Sequence, residues 1–128
     1  MSHISPTGGT IRNDSQGHGY FQASRGSRFH TGVDWTLPGG PSQIVVAPVS
    51  CAFSRSASPY GASVPLDGAI FYTPELIIKM FYFKPYKFKK GERIKQGQPI
   101  GTAQSFAVKD PIVQDHIHEE IWINPLSL

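Results

Sequence analysis

Two short segments of the sequence carry the side chains best suited to chemistry. The first segment places an imidazole and a carboxylate four residues apart, as His30 and Asp34. That spacing lets both side chains share one face of an extended or a helical backbone. The second segment places two imidazoles two residues apart, as His116 and His118, with Ile117 between them. On a strand both imidazoles would point to one side, so each segment offers a pair of converging donors.

Donors of the types His, Asp and His are those that a tetrahedral zinc ion binds when its fourth position is left to water. If His118 is a ligand, His116 lies beside the open position, where it could accept a proton from water or stabilise an oxyanion. The alternative is an ordinary surface His–Asp pair and a strand histidine with satisfied hydrogen bonds. Residue types alone leave both interpretations open. The remaining histidines, His3 and His18, are expected to be exposed to solvent.

The rest of the sequence predicts short strands and turns that would position these donors. The chain has 128 residues and is 39% apolar, with 13 glycines and 11 prolines, and it lacks a sustained helical period. We expect one all-β domain over residues 19–128 and an extended N-terminal arm over residues 1–18. Gly91, Gly97 and Gly101 are expected to supply positive φ at turns. The predicted strands are Gln43–Val46, Val49–Arg55, Gly68–Tyr72, Leu76–Phe83, Arg93–Thr102 and Asp115–Ile123.

Charge and cysteine content limit the function classes. Twelve basic and nine acidic residues give a net charge of +3, which is too small to predict a specific nucleic-acid binder. The longest apolar stretch is far shorter than a membrane span, so none is predicted. Cys51 is the single cysteine, so no intrachain disulfide can form and we expect a buried core thiol.

The sequence around both motifs resembles the LytM/lysostaphin-like metallopeptidases. That resemblance implies an antiparallel β-sandwich or barrel-like domain, with one Zn²⁺ bound by His30, Asp34 and His118 and with His116 as a catalytic histidine. It also implies a zinc-dependent endopeptidase that cleaves peptide cross-bridges of peptidoglycan. The similar stretches, which follow one another in the family's order, are Gly19–Asp34, Val46–Pro48, Gln98–Gly101 and His116–Glu119.

One strand departs from the pattern of active members. Residues Lys79–Pro85 are similar to the matching strand of leukocyte cell-derived chemotaxin 2, a branch of this fold regarded as binding zinc without peptidase activity. Active members usually carry a second catalytic histidine there, and this chain offers Phe83 or Lys84 instead. Loss of an oxyanion donor can lower a rate by about 10²–10³. A catalytically inactive zinc-binding module with a structural or wall-binding role is therefore the alternative function.

Other polar side chains are candidates to replace the missing donor or to hold a substrate carboxylate, because guanidinium, ammonium and phenol groups donate to anions. The alternative for the arginines is that they are solvated loop charges. The candidates are Arg25, Arg28, Tyr82, Lys84 and Tyr86.

A basic stretch lies between residues 84 and 95, where six cations accompany one acid, Glu92. It is either a solvated hairpin face or a contact for an anionic wall polymer or lipopolysaccharide. The cations are Lys84, Lys87, Lys89, Lys90, Arg93 and Lys95.

The N-terminal residues lack the basic and apolar regions of a secretory signal. We therefore expect delivery by another route, such as assembly into a phage tail or another injection device with other virion proteins as partners.

Overall fold

The structure, a computed structural model, describes residues 2–14, 17–18, 24–25, 28–29 and 32–127. These residues form strands and three single-turn 3₁₀ helices at 61–63, 106–108 and 125–127, and include no α-helix. None of the described helices has the length and apolar character needed to cross a bilayer. The strands are β1 (Asn13–Asp14), β2 (Gly17–His18), β3 (Ser24–Arg25), β4 (Arg28–Phe29), β5 (Val33–Thr36), β6 (Ile44–Val46), β7 (Cys51–Ala57), β8 (Gly68–Tyr72), β9 (Leu76–Phe81), β10 (Phe83–Pro85), β11 (Arg93–Ile94), β12 (Pro99–Ala103) and β13 (His116–Ile123).

Two antiparallel sheets build the domain. The larger has the strand order β11-β7-β8-β9-β13-β5 and the smaller has the order β10-β12-β6, while β1-β2 and β3-β4 are separate two-stranded pairs. Side chains from both sheets form one apolar core, which confirms the predicted all-β sandwich-like class. Cys51 is only partly buried against that core rather than fully buried, and its burial raises the pKa of the thiol to about 11. The largest fully buried core side chains are Phe71, Phe83, Ile78, Met80, Ile94, Ile100, Ile117 and Val45.

Strand β13 carries both histidines of the second motif. It pairs with β5 on one side and with β9 on the other, so that His118 lies opposite Asp34 and also opposite Phe81. Ile117 is fully buried, whereas the two histidines point to the other face of the strand. The alternation expected from the sequence is therefore present, and it separates the core from a polar site.

The predicted strand Leu76–Phe83 is interrupted at Tyr82, which has φ +78°. The backbone N–H groups of Tyr82 and Phe83 both donate to the Asp67 carbonyl, at 2.7 and 3.3 Å. The chain thereby leaves the large sheet at the end of β9 and enters the small sheet as β10. A bulky residue in the left-handed region is strained, so the crossover depends on surrounding contacts.

The predicted strand Arg93–Thr102 is also divided, because Gly97 makes a left-handed turn between β11 and β12. Positive φ is confirmed at Gly91 (+85°) and Gly97 (+83°) but not at Gly101. Gly101 lies within β12, and a Cβ there would stand 2.2 Å from the Lys84 carbonyl oxygen. Glycine is required at that position by close packing of β12 on β10 rather than by its φ.

Residues 6–12, which lie in the predicted N-terminal arm, pack on the sheets. Val46 N–H donates to the Pro6 carbonyl at 2.9 Å, and Thr36 N–H donates to the Thr10 carbonyl at 2.7 Å. Arg12 is buried, with 4% of its surface exposed. Residues 6–12 therefore contribute contacts to the folded body, and a domain boundary at residue 18 stays a prediction.

Candidate active site

The centre of the site is a cross-strand pair between β5 and β13. Asp34 and His118 are direct neighbours in the register, and Asp34 Oδ1 lies 2.8 Å from His118 Nδ1. Asp34 is 2% exposed and His118 is 9% exposed. Close approach at the start of β5 requires Gly32, because a Cβ there would meet the Glu119 carbonyl oxygen at 2.4 Å.

The second carboxylate oxygen of Asp34 is bound by an arginine from the arm. Arg12 Nε–H donates to Asp34 Oδ2 at 3.0 Å, and Arg12 N–H donates to the Asp34 carbonyl at 2.8 Å. The guanidinium compensates part of the buried negative charge and fixes the orientation of the carboxylate. Asp34 Oδ1 is thereby directed toward His118.

His118 has a carboxylate at each ring nitrogen. Its Nδ1 faces Asp34, and its Nε2 lies 2.9 Å from Glu120 Oε2. Burial favours the neutral ring, but hydrogen bonds to Asp34 and Glu120 outweigh it and raise the pKa of His118 to about 9. The metal-free ring is therefore protonated at both nitrogens near neutral pH.

His116 has the opposite character. Its Nδ1–H donates to the Gln114 carbonyl at 2.7 Å, and its Nε2 lies 3.7 Å from Asp34 Oδ2. Burial lowers the pKa of His116, although Asp34 partly opposes that effect. His116 is thus neutral at pH 7, and because its Nδ1 carries the proton, its Nε2 has the free lone pair that a general base uses.

Aromatic rings enclose both imidazoles. The ring of Tyr82 meets His116 edge-on at a centroid distance of 5.1 Å, and Phe106 lies 4.9 Å from His116 on another side. Phe81 stacks on His118 at 6.1 Å. The Tyr82 hydroxyl lies 3.2 Å from the Tyr60 hydroxyl, and burial is the main cause that raises the pKa of Tyr82, so it stays a protonated donor.

The structure brings together three of the predicted site residues, Asp34, His116 and His118. The third predicted zinc ligand, His30, lies outside the described residues. Among those that are described, no group of three or more His, Cys, Asp or Glu side chains is arranged to hold a metal ion. Arg25 and Arg28 are partners in the backbone register of the β3-β4 pair.

The segment that offers Phe83 or Lys84 in place of the family's second histidine has its residues in three different surroundings. Phe83 is fully buried in the core, and Lys84 is exposed beside Tyr86 on a cavity whose lining does not include the site residues. Tyr82 is the residue of this segment that contacts His116. Its left-handed backbone at the crossover turns its side chain toward the histidines.

The donor set of Asp34 and His118 fits a zinc ion on chemical grounds. Each ring nitrogen of His118 lies beside a carboxylate oxygen, but a neutral imidazole carries a proton on only one nitrogen. The lone pair of the other nitrogen would then face a carboxylate oxygen, unless a cation lies between these two atoms. A proton can fill that role, and so can a metal ion. A carboxylate at the far ring nitrogen, here Glu120, is the usual partner of a metal-bound histidine.

Several residues of the site were missed by sequence reasoning. Arg12 lies in the arm, and nothing in its local sequence signals a contact with Asp34. Glu120 could have been found, because it continues the i, i+2 alternation of His116 and His118 on one face of β13. His3 is exposed, as predicted, but its Nε2 also lies 2.9 Å from Glu119 Oε2. The sequence did not predict this contact.

Comparisons with known proteins find sequence relatives and, separately, solved structures of the same fold. Leukocyte cell-derived chemotaxin-2 of Mus musculus is 33% identical over 108 residues, which are 84% of this chain and 69% of that protein. The antimicrobial peptidase lysostaphin of Staphylococcus simulans has a similar structure, with a TM-score of 0.64, 22% identity, and coverage of 99% of this chain and 50% of lysostaphin. No family model matches the sequence.

A zinc-containing peptidase of Vibrio cholerae also shares the fold, with a TM-score of 0.62 and 16% identity. The match covers 96% of this chain and 37% of that peptidase. This chain therefore spans half or less of these two structural neighbours, and both likenesses establish the fold.

The raised pKa of His118 predicts a pH-dependent stability of the metal-free chain. A histidine whose pKa is about 9 when folded and 6.5 when unfolded stabilises the fold fully below pH 6.5 and loses that contribution as pH rises through 9. Denaturant unfolding in the presence of a chelator should show stability falling between these values. In the His118→Gln variant, the free energy of unfolding should fall less steeply with pH. Equal slopes in wild type and variant would contradict the raised pKa of His118.

Proposed function

We propose that this chain, which belongs to the family of leukocyte cell-derived chemotaxin-2 and shares the fold of lysostaphin, is a zinc-dependent endopeptidase that cleaves peptide cross-bridges of peptidoglycan. The observation that carries the proposal is the buried arrangement in which Asp34 and His118 converge while neutral His116 stands beside them. The peptide substrate in the cell wall follows from the family resemblance.

In this proposal His30, Asp34 and His118 hold the metal. His30 stands two residues before Gly32 in the sequence, and the tight packing of Gly32 against β13 supports the approach of this segment to the site. Arg12 and Glu120 act as positioning residues, since each binds the far side of one ligand. Bound zinc would supply Lewis acidity that polarises a carbonyl and makes water acidic near pH 7.

His116 is the proposed general base. Its Nδ1 proton is held by the Gln114 carbonyl, which leaves Nε2 to accept a proton from the attacking water. Because burial lowers its pKa, the base is unprotonated at neutral pH. Protonated His116 could then deliver the proton to the leaving amine.

Tyr82 is the proposed donor to the developing oxyanion. Its ring contacts His116 directly, and its hydroxyl remains protonated at neutral pH. A tyrosine hydroxyl can take the place of an imidazole as a hydrogen-bond donor in such a site.

A second candidate is a catalytically inactive zinc-binding module. The observation that favours it is the contact between the Tyr82 and Tyr60 hydroxyls at 3.2 Å, which would compete with donation to a substrate. In that case the metal would contribute folding free energy without turnover.

Delivery of the chain as a component of a phage tail or another injection device stays a prediction from the sequence. It is supported if the chain is found in purified virions, and it is wrong if the chain is absent from particles but present elsewhere in infected cells.

The zinc-loaded chain should reduce the turbidity of a suspension of purified peptidoglycan. His116→Ala should lower the initial rate by about 10²–10⁴ because the general base is lost, while the zinc content stays that of wild type. Absence of clearing by wild type on walls of several cross-link types, with zinc bound, would contradict the enzyme and favour the inactive module.

Substitution at Tyr82 should separate the two candidates. Tyr82→Phe keeps the ring against His116 and removes only the hydroxyl, so the enzyme proposal predicts a fall in kcat of about 10²–10³ with little change in KM. Tyr60→Phe is the matched control, because it removes the neighbouring hydroxyl and should leave kcat within about threefold of wild type. Equal kcat in wild type and Tyr82→Phe would exclude Tyr82 as the donor.

A further inference from the structure

The molecule has a second concave surface that the proposed peptidase chemistry does not use. This groove, of about 700 Å³, lies between the segment Phe53–Ser58 and the segment 84–90 and includes Asp67. Asp34, His116 and His118 are not among its lining residues. Its volume falls within the range of about 300–1,000 Å³ typical of ligand sites.

The groove is strongly cationic. Four basic side chains line it, and all four are exposed: Arg55, Lys84, Lys87 and Lys90. Within the part of the chain that the structure describes, none of the four forms an ion pair. Like charges gathered around one cavity repel one another, and an anion in the groove would relieve that repulsion.

The single carboxylate of the groove is already engaged. Asp67 Oδ2 accepts a hydrogen bond from Gln104 Nε2 at 2.8 Å, and the Asp67 N–H donates to Gln104 Oε1 at the same distance. Asp67 is therefore fixed in the wall of the groove, and the cations remain available to a ligand.

The other lining groups favour a sugar over a nucleic-acid base. Three serines, Ser54, Ser56 and Ser58, supply hydroxyls. Phe53 is 7% exposed and its ring packs against Phe88 at 5.6 Å, so it forms the floor. Single-stranded nucleic-acid sites present several exposed rings for base stacking.

Tyr86, at 42% exposure, is the one large aromatic of this groove that is open to solvent. One exposed ring can pack against the apolar face of a sugar, while the serine hydroxyls are suited to its polar groups. The surrounding cations would pair with carboxylates or phosphates spaced along a polymer.

We propose that this groove binds an acidic polysaccharide, a polymer whose repeating units carry carboxylate or phosphodiester groups. The binding is independent of metal and of catalysis at the proposed zinc site. If both sites act in one molecule, the groove binds the protein to a charged polymer, while the proposed zinc site acts on a neighbouring peptide.

The test is a binding titration of the full chain with two probes, an oligogalacturonate and a phosphodiester-linked oligosaccharide of matched length, at about 0.15 M salt, where charges separated by more than about 8 Å are largely screened. The groove variant Lys84→Gln/Lys87→Gln/Lys90→Gln should weaken binding of at least one probe by about tenfold or more. The two probes distinguish a carboxylate-bearing from a phosphate-bearing ligand.

The matched control is Lys89→Gln/Arg93→Gln/Lys95→Gln, which removes the same charge from exposed positions outside the groove lining. Its binding should stay within about threefold of wild type. Equal losses in the two variants would show diffuse attraction and overturn the proposal, as would absence of binding of both probes to wild type.

Amide chemical shifts of the wild-type chain provide a second measurement that does not depend on the variants. Shifts on addition of the bound probe should centre on Arg55 and residues 84–90, and shifts centred elsewhere would overturn the proposal. Tighter, groove-dependent binding of a short oligothymidine would identify a nucleic-acid site and also overturn it.

Discussion

The site depends on the register in which β5 and β13 pair. That register sets Asp34 opposite His118, on the face of β13 away from Ile117, which is fully buried in the core. Because side chains alternate along a strand, a slip of one residue would place a histidine in the core and expose an isoleucine. The apolar core therefore enforces the geometry of the polar site, and Gly32 permits the close backbone contact beside it.

Charge at the site is balanced by groups that come from separate parts of the chain. Asp34 is buried between Arg12 of the arm and His118 of β13, while Glu120 binds the far nitrogen of the same imidazole. Buried carboxylates require such partners, since desolvation of an unpaired charge costs several kcal/mol. The contrast between His118, whose pKa is raised, and His116, whose pKa is lowered, arises because only His118 touches two carboxylates. Two neighbouring imidazoles are thereby suited to different roles.

Local patterns in the sequence predicted the all-β class, the strand Gly68–Tyr72 and the outward alternation of His116 and His118, because strand periodicity is a local property. The break at Tyr82 was missed, since an apolar run gives no sign that the chain changes sheets and a positive φ is rare for tyrosine. The Arg12 contact with Asp34 spans 22 residues and depends on tertiary packing that no short motif encodes.

The proposed chemistry requires a zinc ion held between the two histidine-bearing segments. Metal analysis combined with zinc-edge X-ray absorption on the purified chain tests this most directly. We predict one zinc per chain in wild type and in the control His3→Gln, and its loss in Asp34→Asn and His118→Gln. A wild-type chain without stoichiometric metal, or variants at Asp34 and His118 that retain zinc fully, would contradict the account.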